Sequence, residues 1–238
     1  LAPGPASGGY QMVRTVQIYA DGADLKSMAS LLNTCDGFTT NPSLMKKAGV
    51  TDYREFANKV LDIVMDKPVS FEVFADDFET MEKQAREIAS WGRNVYVKIP
   101  VTNTQANPSY ELIWRLSRSG IKVNVTAVFT SLQARHAIDS LDGGGIVSVF
   151  AGRIADTGSD PMRVMRSARA KIGTDGTQLL WASTREVYNV VQAEDCGCDI
   201  ITMSPDLIAK LPGFGRDLAQ YSLETVRQFH SDAAGLTL

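Results

Sequence analysis

Eight short apolar runs, rich in β-branched residues, alternate along the chain with longer stretches whose apolar residues recur every three or four positions. The runs occupy residues 16–21, 37–41, 69–74, 95–100, 123–129, 146–151, 179–183 and 200–204. Their length and composition predict buried strands, and the 3.6-residue pattern between them predicts amphipathic helices. Residues 77–91, "DFETMEKQAREIASW", show that pattern well: Phe78, Met81, Ala85, Ile88 and Ala89 share one face. Asp76 and Asp77 give this helix a start signal, and Gly92 gives it a stop. A last helix is predicted over residues 216–234.

Eight strand–helix repeats fit a closed (β/α)8 TIM barrel, a class whose usual length is ~250 residues. The prediction is an α/β protein with a single barrel domain over residues 12–238 and an extended C-terminal helix. An open doubly wound sheet would carry a Gly-rich phosphate turn after its first strand, and "YADGADL" is not G-x-G-x-x-G. Gly143, Gly144 and Gly145 precede a strand, which predicts a helix-ending loop instead of a phosphate cradle. The opening "LAPGPASGGYQ" is expected to be a disordered leader or an expression remnant, with Met12 as the native start.

Composition narrows the partners. With 44% apolar residues the chain can fill a sizeable core, and a net charge of -3 argues against a nucleic-acid or anionic-membrane surface. No apolar run approaches the ~20 residues that span a bilayer, so a cytoplasmic protein is expected. Cys35, Cys196 and Cys198 form no spaced framework and read as reduced thiols. His136 and His230 are the only histidines, too few for a three-histidine metal centre, and neither metal nor cofactor is expected.

The strands carry more polar residues near their C-terminal ends than a core calls for: Asp21, Asn41, Glu72, Lys98, Asn124, Thr126, Ser148 and Ser183. Barrel active sites collect at those ends. Two-residue periodicity puts Asn124 with Thr126, and Ser148 with Phe150, on common faces. Parallel barrel strands are covered outside and filled within, so a charge on one must be paired or useful. Lys98, in "VYVKIP", has a use: burial lowers the pKa of an ammonium and exposes a neutral amine able to attack a carbonyl carbon. A lysine Schiff base then draws electrons from the bond between the third and fourth carbons of a ketose. Glu72 on the neighbouring strand is the expected proton shuttle, and Thr126 is expected to hold the relaying water. Asp21 is left to take the proton of the fourth-carbon hydroxyl.

In order along the chain, "YADGADL", "GFTTNPSL", "FEV", "VYVKIPVT", "KVNVTAVF", "SVFAGRIAD" and "WASTRE" resemble the transaldolase family. The resemblance implies Lys98 as the Schiff-base lysine, Glu72 and Thr126 as keepers of the catalytic water, and Asp21 as acid and base at the cleaved bond. It further implies that Asn41, Asn124 and Ser148 hold the dihydroxyacetone unit beside Phe150, and that Arg153, Ser183 and Arg185 bind the substrate phosphate. Small-molecule sugar phosphates are then the partners, a place in the pentose phosphate pathway is expected, and short-chain relatives imply a homo-oligomer, a pentamer or decamer. The fructose-6-phosphate aldolase branch is the alternative, but it resembles Gln, Ala and Tyr at the positions of Glu72, Ser148 and Phe150. A non-catalytic barrel that binds a sugar phosphate is a further one, with no need of an amine and a matched shuttle. Trp181 and Thr184 depart from the family pattern, which implies a differently shaped phosphate end.

Overall fold

The computed structural model describes residues 15–237, so the leader expected over residues 1–11 lies outside the described residues. Eight parallel strands close in chain order into a barrel: β1 (Gln17–Asp21), β2 (Gly37–Thr39), β3 (Val69–Glu72), β4 (Val95–Pro100), β5 (Val123–Val128), β6 (Gly145–Val149), β7 (Thr177–Trp181) and β8 (Ile200–Met203). Between and after them lie α1 (Leu25–Leu31), α2 (Pro42–Lys47), α3 (Tyr53–Val64), α4 (Phe78–Ala89), α5 (Tyr110–Arg118) and α6 (Ser131–Asp139). The second half adds α7 (Ala151–Ala155), α8 (Pro161–Lys171), α9 (Asn189–Asp195) and α10 (Pro205–Ile208). Every apolar run holds a strand, and β4 has the bounds read from the sequence. β2 is shorter than read, because Asn41 already caps α2 and Pro42 opens it.

Several helix starts are fixed by side chains that accept the orphan amides of the first turn. Asp24, Asn41, Asp52 and Asp77 each accept from the amide three residues on, and Thr130 forms a reciprocal capping box with Gln133. Asp77, not Asp76, caps α4. Asp76 instead accepts from the amide and hydroxyl of Thr104, at 2.8 and 2.7 Å, and ties down the loop after β4. Gly143 and Gly144, before β6, and Gly145, its first residue, all have positive φ, at 79°, 101° and 157°, which explains why side chains are avoided at this entry to the strand.

Strand parity separates two layers. Phe71, Val97, Ile99, Val125, Val147 and Leu179 face the surrounding helices and are fully buried. Each such side chain contributes about 1.5–3 kcal/mol by leaving water. Residues of opposite parity fill the barrel. Tyr19, Ile146, Leu180, Ala182 and Ile200 form an inner apolar cluster, with Tyr96 and Phe150 against it. Tyr19 is the Cα partner of Gly37, and a Cβ at Gly37 would lie 2.6 Å from the Tyr19 ring. The glycine makes room for the phenol, and this apolar plug is the floor under the polar strand ends.

Residues 209–237 form part of a second compact unit, containing a 3-10 turn (Leu211–Gly213) and α11 (Leu218–Asp232), whose N-cap Asp217 accepts from the Gln220 amide. Among the described residues, no helix is long and apolar enough to cross a membrane.

Candidate active site

Above the apolar plug lies a cavity of about 410 Å³. Lys98 enters it from β4, where its Cα partners are Glu72 on β3 and Asn124 on β5. Lys98 is only 6% exposed, and its Nζ lies 3.0 Å from Glu72 Oε2 while donating to the Thr40 carbonyl at 2.9 Å. The charge is therefore paired and hydrogen-bonded, the condition under which burial is tolerated.

Asp21, at the end of β1, is held from the side by hydroxyls. Thr39 Oγ1 donates to Asp21 Oδ1 at 2.8 Å, and Thr39 and Thr202 hydroxyls are 2.5 Å apart. A hydroxyl has one proton, so while Thr39 gives its own to Asp21, Thr202 donates to Thr39. Burial pushes the Asp21 carboxyl above the usual carboxylate range; the charge of Lys98 and the Thr39 hydrogen bond oppose this, and the charge of Glu72 adds to it.

A second chain crosses β3, β5 and β6. Asn124 Nδ2 donates to Ser70 Oγ at 3.1 Å, and Ser148 Oγ donates to Asn124 Oδ1 at 2.7 Å, all three buried. The Thr126 hydroxyl lines the cavity and has no hydrogen-bond partner among the described residues. Asn41 also reaches the cavity, its carboxamide oxygen accepting from the Leu44 amide at 3.0 Å, which leaves its NH2 group to donate elsewhere. Phe150 packs against Phe129, the rings tilted by 40° with centroids 5.6 Å apart, and the Arg153 guanidinium lies 5.4 Å from the Phe150 ring centre.

The start of α7 and the loop after β7 meet at backbone distance. A Cβ on Gly152 would fall 1.6 Å from the Ser183 carbonyl oxygen, and Ser183 has a φ of 63°, the left-handed region. Arg185 follows, with its backbone amide and that of Glu186 donating to Asn189 Oδ1. Its guanidinium grips Asp156 through Nε at 3.1 Å to each carboxylate oxygen and through a terminal nitrogen at 2.5 Å. That contact holds the Asp156 carboxyl below its usual range and the Arg185 guanidinium above its own. Arg153, Ser183 and Arg185 thus converge on one region of the wall, where the two arginines can meet an anion.

Nine of the residues singled out from the sequence line this one cavity: Asp21, Asn41, Lys98, Thr126, Ser148, Phe150, Arg153, Ser183 and Arg185. Glu72 and Asn124 lie outside the lining, one against Lys98 and the other between Ser70 and Ser148. Of the two departures from the family pattern, Trp181 stays off the cavity: Leu180 and Ala182 line it, so parity turns the intervening indole outward, where it is 1% exposed. Thr184 does line it, with its hydroxyl spent on the Thr202 carbonyl at 2.7 Å. Sequence reading missed Thr39, Ser70 and Thr202. Their signal was parity, since Thr39 stands two before Asn41 and Ser70 two before Glu72, but Thr and Ser in strands attract no notice singly.

Comparison with known proteins places the chain in a family. The sequence profile of the family described as Transaldolase/Fructose-6-phosphate aldolase matches residues 18–237. A probable transaldolase of Methanococcus maripaludis is 36% identical over 223 residues, which is 89% of this chain and all of that protein. Probable transaldolases of Streptococcus agalactiae, 36% identical over 88% of this chain and 95% of theirs, and of Dehalococcoides mccartyi, 35% identical over 79% and 86%, are also similar. A solved mandelate oxidase variant with a monooxide FMN adduct overlays with a TM-score of 0.54 at 18% identity, over 93% of this chain and 74% of that one, a likeness of fold alone. The chain belongs to the transaldolase/fructose-6-phosphate aldolase family of enzymes.

Proposed function

We propose that the chain is a transaldolase, moving a dihydroxyacetone unit from a ketose phosphate, fructose 6-phosphate or sedoheptulose 7-phosphate, to an aldose phosphate through a Schiff base on Lys98. The observation that carries this reading is a buried amine 3.0 Å from a carboxylate, at a cavity that also holds Asp21 and two arginines. A proton passing from Lys98 to Glu72 leaves a neutral amine, which adds to the second-carbon carbonyl of the ketose. Glu72 returns the proton to the hydroxyl of the adduct, water leaves, and an iminium remains. The unspent Thr126 hydroxyl supports a place for that water.

Cleavage comes next. Asp21 takes the proton of the fourth-carbon hydroxyl while the bond between the third and fourth carbons breaks, sending its electrons into the iminium and releasing an aldehyde. A carboxyl raised by burial suits a group that must accept this proton and later return it. The remaining enamine attacks the carbonyl carbon of the acceptor aldose, Asp21 protonates the new alkoxide, and water hydrolyses the imine. Asn41, Asn124 and Ser148 hold the hydroxyls of the three-carbon unit. Arg153, Ser183 and Arg185 bind the phosphate, with Asp156 keeping the Arg185 fork in one orientation. The chemistry uses neither metal nor cofactor, because the iminium is the electron sink.

The transferase outcome is favoured by Phe150. Its ring packs at a tilt against Phe129 and brings no phenolic hydroxyl to activate water against the enamine. Turnover of fructose 6-phosphate with and without erythrose 4-phosphate tests this. A seven-carbon ketose phosphate formed only with the acceptor is expected, and free dihydroxyacetone released at full rate without it would assign the chain to the aldolase branch. The exposed Leu218, Tyr221, Val226 and Phe229 of α11 support assembly as a homo-oligomer, a pentamer or decamer. Light scattering that shows only monomer would remove that part.

A further inference from the structure

Glu72 ends β3 with backbone groups that no strand pairs. In a parallel ladder the N–H and C=O of one residue point to the same neighbour, and successive residues alternate sides. The Ser70 carbonyl accepts from the Thr40 amide at 3.1 Å on the β2 side, and Val73 donates to the Lys98 carbonyl at 3.1 Å on the β4 side. Glu72 therefore aims both its N–H and its C=O to where β2 would continue. It cannot continue, because Asn41 turns to cap α2 and Pro42 has no N–H to offer.

Tyr53, the first residue of α3, closes that gap. Its hydroxyl accepts from the Glu72 amide at 2.8 Å and donates to the Glu72 carbonyl at 3.0 Å. One O–H satisfies both groups that a strand residue would otherwise meet. The hydroxyl is held by these two bonds, and the ring packs edge-on beside Phe71 and Trp91, with centroids at 6.1 and 5.3 Å. Burial pushes the phenol above its ordinary range, so it stays a neutral donor and acceptor.

We infer that Tyr53 is a positioning residue for the transfer reaction: its hydroxyl locks the Glu72 peptide, and through it holds the Glu72 carboxylate on Lys98. The inference rests on the roles proposed above for Lys98 and Glu72. Removing the hydroxyl leaves a buried N–H and C=O without partners at the residue that must shuttle the proton, and the end of β3 then has no fixed position.

The test is Tyr53→Phe, which keeps the ring and its packing. Its kcat for transfer is expected to fall by about tenfold, the scale of one lost hydrogen bond felt in the transition state. Borohydride trapping on Lys98 should slow in parallel, KM for the ketose phosphate should hold, and the pH profile of kcat should shift. Trp91→Phe disturbs the same aromatic cluster without touching the hydroxyl; it should lower the melting temperature and leave kcat and the pH profile in place. Unchanged kcat, trapping rate and pH profile in Tyr53→Phe would overturn the inference, as would the same kinetic loss in Trp91→Phe. Both results leave the functional reading standing. No adduct on Lys98 in the unaltered protein, despite turnover, would overturn that reading and this inference with it.

Discussion

Lys98 and Glu72 are Cα partners across the β3–β4 ladder, and their side chains meet 3.0 Å apart where the barrel opens. The register of two strands thus delivers an amine and a carboxylate to one point. No loop has to move for the proton between them to change hands.

Replacing one partner separates charge from shape. Glu72→Gln keeps the volume and removes both the counter-charge and the shuttle. Turnover should fall by about a hundredfold or more, the usual range for a lost general acid-base group. Leaving the Lys98 ammonium without its partner should also destabilise the fold, toward the ~3 kcal/mol lower end of the range for broken buried pairs. Urea unfolding read beside steady-state rates checks both, and a variant with full activity would remove Glu72 from the mechanism.

Asp21 contributes to pH dependence with a definite sign. Its folded pKa is raised above the ordinary 3.8, so the folded state binds the proton more tightly than the unfolded chain does. Its contribution to stability is present in full below the ordinary carboxylate range and is lost as pH rises through the raised value. Asp21→Asn, which no longer titrates, should then melt higher than the parent near neutral pH, and the gain should vanish in acid. Turnover of this variant should be abolished. A variant that melts lower at neutral pH, or whose gain grows in acid, would contradict the assignment.

The contact between Gly152 and Ser183 ties substrate affinity to a missing side chain. Gly152→Ala places a Cβ on the Ser183 carbonyl, so the loop carrying Ser183 and Arg185 has to shift. The expected result is a KM for phosphorylated ketose raised by about tenfold, as the arginine fork loses its geometry. Trapping of unphosphorylated dihydroxyacetone on Lys98 should keep its rate, since that ligand does not reach the arginines. A folded variant with an unchanged KM would show that α7 and the loop after β7 do not build the phosphate site.

Much of this was legible in the sequence for one physical reason. Parallel barrel strands are buried on both faces, so they read as apolar runs, and Lys98 or Asp21 within one stands out. Asn41, Glu72, Asn124 and Ser148 stand out in the same way, as polar residues near the ends of other apolar runs. A count in twos, applied at Leu180 and Ala182, would have turned Trp181 away from the cavity. Tyr53 and Gly152 gave no such signal. An aromatic and a glycine in the first turn of a helix are ordinary locally, and both matter only because another segment folds against them: the end of β3 for Tyr53, the loop after β7 for Gly152. Asn41 was read as the end of a strand because a cap before Pro42 and a strand end look alike in sequence; the amide of Leu44 decides between them.

The central claim is the covalent one, and reductive trapping reaches it most directly. The unaltered protein, incubated with fructose 6-phosphate and reduced with borohydride, should carry an adduct on the peptide containing Lys98 and on no other, and Lys98→Arg should carry none. Undiminished turnover with Lys98 unmodified would contradict the account.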